Sequence, residues 1–185
     1  LQSGKVIKIP SNSLASGQAL VVLPKGQAVV SSNSNGKFQI WDAKTGSLVK
    51  VFPNAAKEAL EPISTMALNR SGTVLVSGSW YGSIVLWDLA TGRMMKKLPR
   101  QNKPISAIAI SDRNDQVATV TNSDTRIQLW EVKAGRSSGI LKGHTSPVSA
   151  LKFSHSGNFL ISGGEESSIK IWDLPQRRLL RSLVQ

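Results

Sequence analysis

The chain has 185 residues, 40% hydrophobic and 18% charged, a globular composition long enough for one domain with a real core. It contains no cysteine, which excludes disulfides and cysteine-ligated metals, and no run approaches the ~18 consecutive apolar residues of a membrane-spanning helix. Lys and Arg number 23 against 11 Asp and Glu, and the resulting net charge of +12 favours acidic partners: nucleic acid, an anionic membrane surface or an acidic protein.

The N-terminal LQSGKVIKIPS is too polar for a signal-peptide core. Its Val6, Ile7 and Ile9 suit a short strand, limited by Pro10, which has no N–H to donate. Four similar segments follow. GQALVVLPKGQAVVSSNSNGKFQIWD ends at Trp41-Asp42, and PISTMALNRSGTVLVSGSWYGSIVLWD ends at Trp87-Asp88. PISAIAISDRNDQVATVTNSDTRIQLWE ends at Trp130-Glu131, and PVSALKFSHSGNFLISGGEESSIKIWD ends at Trp172-Asp173. The gaps between these tryptophans are 46, 43 and 42 residues, a period that signals a repeat architecture.

Each segment opens with an apolar strand and a tight turn, at Lys25-Gly26, Ser71-Gly72, Arg113-Asn114-Asp115 and Ser156-Gly157. A second apolar strand comes next: 28–31, 74–77, 117–120 and 159–162. After a polar loop comes the strand that ends in Trp. A glycine stands five residues beyond Trp at Gly46, Gly92 and Gly135, and Arg177 departs from that rule. The runs SLVKVF and RMMKKL suit a fourth strand. RRLLRSLVQ offers another, although Leu179, Leu180, Leu183 and Val184 also fit a helical face. Four short strands per period, with turn signals between them, predict an all-β fold.

On these residues, over about 17–185, the chain resembles the WD-repeat β-propeller family; the last copy, with Gly143-His144, Ser162-Gly163 and IKIWD, is the most specific. The resemblance implies a propeller segment of four four-stranded blades. The repeats are expected at 17–58, 59–100, 101–143 and 144–185, with 1–16 as the outer strand of a preceding blade. That surplus strand implies a larger propeller, completed by a second copy or by missing blades.

In this family a His, a Ser or Thr, an Asp and the Trp share a hydrogen-bond network within a blade. The matching residues are His144, Ser162, Glu166 and Trp172, with Glu in place of Asp. The other blades hold Ser13, Ala59 and Gln101 at the His position and Ser31, Ser77 and Val120 at the Ser position. Their Asp position holds Asn35, Tyr81 and Asp124, so only the fourth blade is expected to make the full network. Ser, His and an acid also form the hydrolase triad. No nucleophile elbow accompanies them here, and the repeat accounts for every member. No catalytic residue, metal site or cofactor is expected.

Partners of the family dock on the face built from the loops between second and third strands and the loops entering the first. The candidates there are Trp80, Tyr81, Lys103, Ser123, Asp124 and Glu165. Trp80-Tyr81 reads either as an interface anchor or as a filler, with Trp80 over the blade edge or in the space left by Ala59. The expected function is a non-enzymatic scaffold that binds other proteins. Two alternatives stand beside it: a basic nucleic-acid or anionic-surface module, and a regulatory segment of a larger enzyme. The chain carries no signal peptide, and a cytoplasmic or nuclear location is favoured.

Overall fold

A computed structural model describes residues 19–32, 36–52 and 61–184. The expected strand at 1–16, the loop residues Ser34 and Asn35, and Ser13 and Ala59 lie outside the described residues. Among the described residues sixteen strands form four antiparallel sheets, each a meander in chain order. Blade 1 holds β1 (Leu20–Val22), β2 (Ala28–Ser32), β3 (Phe38–Asp42) and β4 (Leu48–Val51). Blade 2 holds β5 (Ile63–Leu68), β6 (Val74–Ser79), β7 (Ile84–Asp88) and β8 (Met94–Leu98). Blade 3 holds β9 (Ile105–Ile110), β10 (Gln116–Thr121), β11 (Ile127–Glu131) and β12 (Arg136–Leu141). Blade 4 holds β13 (Val148–Phe153), β14 (Phe159–Gly164), β15 (Ser168–Asp173) and β16 (Arg178–Val184). The ambiguous RRLLRSLVQ is therefore a strand: β16 pairs with β15 from Val184↔Ser168 to Arg178↔Asp173. Among the described residues no helix is long and apolar enough to cross a membrane.

Period-2 alternation sends each strand's side chains to opposite faces, and here both faces are apolar because blades stack. One face of each blade carries its Trp, and in blades 1 to 3 the other receives the Trp face of the next blade. Val30 and Phe38 of blade 1 pack on Met66, Leu75 and Trp87 of blade 2. The Phe38 and Trp87 rings meet edge to face, with centroids 5.1 Å apart. Val76, Ile84 and Leu98 of blade 2 receive Ile108, Val117 and Trp130 of blade 3. Ala118, Ile127 and Leu141 of blade 3 receive Phe153, Leu160 and Trp172 of blade 4. Three interblade layers thus replace a single central core.

The acidic residue after Trp anchors the turn into the outer strand. Asp42 Oδ1 accepts hydrogen bonds from the backbone N–H groups of Lys44 and Thr45 and from the Thr45 hydroxyl. Asp88 does the same with the N–H and hydroxyl of Thr91. The turn closes on a residue with positive φ: 72° at Gly46, 74° at Gly92 and 67° at Gly135. Arg177 takes the equivalent place with φ 51°, so a non-glycine holds the same conformation. In every blade the third and fourth strands shift register just before the Trp, a bulge that increases local twist.

Candidate functional site

The blade 4 network is a chain of aligned donors. Trp172 Nε1–H donates to Ser162 Oγ at 2.7 Å. His144 Nε2 lies 2.6 Å from the same Oγ, and His144 Nδ1 lies 2.7 Å from Glu166 Oε1. One tautomer satisfies all three links: the Ser162 hydroxyl donates to Nε2, and Nδ1–H donates to the carboxylate. The longer Glu side chain also reaches Thr145 N–H at 2.6 Å, the Thr145 hydroxyl, Ser168 Oγ at 2.7 Å and Lys170 Nζ at 3.0 Å. Ser162 is 1% exposed and already engaged by Trp172 and His144, so it is not presented as a nucleophile.

Burial pushes the His144 imidazole below its ordinary pKa, against the opposing pull of Glu166. Hydrogen bonding, led by the Thr145 hydroxyl, holds the Glu166 carboxyl far below the usual carboxylate range. Both depressions make the unfolded chain the better proton binder, so both cost stability on acidification. The His144 contribution begins to fall near pH ~6.5, and that of Glu166 below about pH 4.3, the unfolded values of the two groups. The urea midpoint is expected to be level at pH 7–8, to decline below pH ~6.5 and to steepen below ~4.3. His144→Gln should flatten the upper limb; an unchanged midpoint between pH 7 and 5 would contradict this account.

The Trp link recurs in every blade. Trp41 donates to Ser31 Oγ at 2.8 Å, Trp87 to Ser77 Oγ at 2.9 Å and Trp130 to Thr119 Oγ1 at 2.9 Å. The expected Val120 is therefore displaced by one position. Thr119 pairs with Gln128 as Ser162 pairs with Lys170, and the blade 3 loop between them is one residue longer. Val120 turns instead into the core shared with blade 4.

The loop carrying Trp80 and Tyr81 is tied on all sides. Ser79 Oγ accepts from the N–H groups of Tyr81 and Ser83 and donates to Glu61 Oε2. Arg100 donates to the Tyr81 carbonyl at 2.7 Å and pairs with Glu61 at 3.4 Å. Trp80 N–H donates to the Pro62 carbonyl, and Gln101 N–H donates to the Gly82 carbonyl at 2.8 Å. The two aromatics nevertheless stay open, Trp80 at 48% and Tyr81 at 57% exposure.

The Trp80–Pro62 link repeats along this face: Asn122 N–H donates to the Pro104 carbonyl and Glu165 N–H to that of Pro147. Lys103, Ser123 and Glu165 are exposed at these loops. Asp124 is partly buried and forks onto Arg126, with both links at 3.0 Å, and that pairing lowers its pKa. Of the sequence candidates, Lys103 sits beside the aromatic pair, because its carbonyl abuts Gly82. Ser123 and Asp124 belong to the blade 3 loop and Glu165 to the blade 4 loop.

Sequence reasoning missed a second cluster. The first strands β1, β5, β9 and β13 line a cleft of about 640 Å³. At its rim Arg70 Nη1 and Asp112 Oδ2 each lie 2.6 Å from His155 Nδ1. The cluster joins the first turns of blades 2, 3 and 4. One nitrogen cannot serve both neighbours at once: protonated, it donates to Asp112, and unprotonated, it accepts from Arg70. These residues are up to 85 positions apart, and nothing local in the sequence marks them.

Meanders stacked Trp face on apolar face, with the Trp–Ser/Thr link inside each, define a β-propeller segment. The WD domain, G-beta repeat family model matches residues 46–88 and 135–173. Each match runs from the turn before an outer strand to the Trp strand of the following sheet. Over these two stretches the chain carries WD repeats. It is 29% identical over 162 residues to the periodic tryptophan protein 2 homolog of Dictyostelium discoideum, covering 88% of this chain and 18% of that protein. It is 29% identical over 161 residues to the eukaryotic translation initiation factor 3 subunit I of Xenopus tropicalis, covering 80% of this chain and 48% of that one. It is 30% identical over 69 residues to the THO complex subunit 6 homolog of Danio rerio, covering 37% of this chain and 21% of that one. The chain thus spans less than half the length of these relatives.

Proposed function

We propose that this chain is a non-enzymatic protein-interaction scaffold whose loop face seats a partner around Trp80 and Tyr81. The observation that carries this reading is an open aromatic pair on a loop braced by Ser79, Glu61 and Arg100. Rigid exposed aromatics supply contact area at little entropic cost, and such residues dominate interface energetics. Lys103 beside them adds a cation at the rim. The names of the relatives support a scaffold role in general, since two of them are subunits of an initiation factor and of a complex.

Proteins retained by the immobilised chain should be compared with those retained by Trp80→Ala/Tyr81→Ala, using quantitative mass spectrometry. A hot-spot pair predicts a loss of at least about thirtyfold in partner affinity, corresponding to roughly 2 kcal/mol. Thermal unfolding should be unchanged, because both side chains are half exposed. An unaltered set of retained proteins would move the docking site elsewhere.

A further inference from the structure

The positive charge of this chain gathers in four short segments. Each runs from the turn after a Trp strand to the end of the fourth strand of its blade: 43–51, 89–98, 132–141 and 174–184. Together they hold 10 of the 23 Lys and Arg residues and none of the 11 Asp and Glu residues. The rest of the chain is nearly balanced, with 13 basic residues against 11 acidic ones. The acidic residue that precedes each segment is already occupied. Asp42, Asp88 and Asp173 accept backbone N–H groups of their own turns, and Glu131 pairs with Arg136 at 4.0 Å.

The fold brings these segments to one side. In every sheet the fourth strand is the edge opposite the first. First strands of neighbouring blades lie against each other, β1 on β5, β5 on β9 and β9 on β13. No comparable contact joins the fourth strands, so the basic segments form the outward edges of four successive sheets. Charge guards an open strand edge against pairing, and either sign serves. Edge protection therefore accounts for charges on these strands but not for the exclusion of every carboxylate.

We propose that this outward edge holds a single-stranded nucleic acid by its phosphates. Phosphate binding takes cations that are free to exchange counterions. Arg93, Lys97, Lys133, Arg178 and Arg181 are exposed and form no ion pair among the described residues. The four segments contain no Phe, Tyr or Trp, the side chains on which bases stack. Aromatics also mark protein–protein interfaces, which are depleted in Lys. This composition suits a phosphodiester backbone rather than base edges or an acidic protein, so the binding is independent of base sequence. A flexible strand can follow edges that point away from one another, whereas a planar membrane meets only some of them. Trp80 and Tyr81 lie outside these segments, so the surface is separate from the partner seat proposed above.

The test is fluorescence anisotropy of a labelled oligo(U) of about 20 nucleotides, titrated with the 185-residue chain over a range of salt concentrations. Log affinity should fall linearly with log salt, with a slope of about −0.7 per phosphate neutralised. Arg93→Gln/Lys97→Gln/Lys133→Gln/Arg178→Gln should bind at least about a hundredfold more weakly at ~0.1 M salt, since each lost contact removes roughly fivefold there. Lys25→Gln/Arg113→Gln/Arg126→Gln/Lys152→Gln removes the same charge elsewhere and should bind within about threefold of the unaltered chain, because attraction beyond about 10 Å is screened at this salt. All eight positions are exposed, so circular dichroism should not change in either variant. Trp80→Ala/Tyr81→Ala should keep full affinity for the oligonucleotide. Equal weakening by the two quadruple variants would overturn the proposal, as would loss of binding in the aromatic variant. So would salt-insensitive or undetectable binding, or tighter binding to phosphatidylserine vesicles or polyglutamate than to the oligonucleotide.

Discussion

Glu166→Ala is expected to destabilise the protein by about 3 kcal/mol, the typical cost of removing one partner from a buried ion pair. The carboxylate is the hub of blade 4: it receives His144, Thr145, Ser168 and Lys170. Lys170 and Glu166 side chains are only 10% and 11% exposed. Without Glu166, the Lys170 ammonium keeps only Ser168 and Ser182, both at 3.3 Å, and the His144 Nδ1–H loses its acceptor. The penalty comes from leaving a charge unmatched in a poorly solvated site, so removing both charges should relieve most of it. Glu166→Ala/Lys170→Met is therefore expected to be more stable than Glu166→Ala alone, a coupling that a double-mutant cycle reads directly from urea midpoints. A loss below about 1 kcal/mol for Glu166→Ala would show that the pair behaves as an exposed surface bridge.

Gly82→Ala is expected to cost a similar amount, about 3 kcal/mol, through backbone strain and collision together. Gly82 has φ 85°, and a Cβ there would stand 2.1 Å from the Gln101 carbonyl oxygen and 2.8 Å from that of Lys103. Both obstacles are backbone, so relief requires the Trp80-Tyr81 loop to separate from the 99–104 segment and to break the Gln101 N–H to Gly82 carbonyl bond. Gly26→Ala supplies the control. Its φ is 67° but no atom lies within 4 Å of the added carbon, so it should cost only about 1 kcal/mol of conformational strain. Calorimetry of the two variants separates strain from collision. Faster amide exchange in residues 79–83 and 99–104 of Gly82→Ala would locate the damage at the loop face. Equal losses for the two variants would mean that collision with the 99–104 segment contributes nothing.

The blades were legible because Trp, the turn glycines and the apolar runs recur at nearly constant spacing. Those features depend on local geometry: period-2 alternation, positive φ and a side-chain anchor four residues before it. Thr119 was misplaced by one residue because the blade 3 loop is longer, and counting back from Val120 ignores a register set by cross-strand pairing. Lys170 was passed over for a related reason. A Lys within a strand reads as solvent-facing, yet its position opposite Ser162 and Ser182 points it at the Glu166 carboxylate. The Arg70–Asp112–His155 cluster depends on three turns meeting across the molecule, which no single-repeat pattern encodes. Trp80 and Tyr81 stood out because large aromatics replace polar loop residues, whereas the tie from Arg100 to the Tyr81 carbonyl joins two loops that no local pattern links.

The meander order within every sheet carries a consequence for biosynthesis. Each strand pairs only with its neighbours in the chain, so every hairpin closes a loop of a few residues, at small entropic cost. Contacts between sheets join one blade to the next in order, which keeps average sequence separation low for an all-β protein and favours quick folding. A chain emerging from the ribosome can complete blade 1 before blade 3 has been translated, in keeping with N-terminal units folding first. Each new Trp face then finds an apolar template already in place. Blade 2 shelters the exposed face of blade 1, blade 3 that of blade 2, and so on, limiting how much unprotected β-surface the nascent chain shows at any moment.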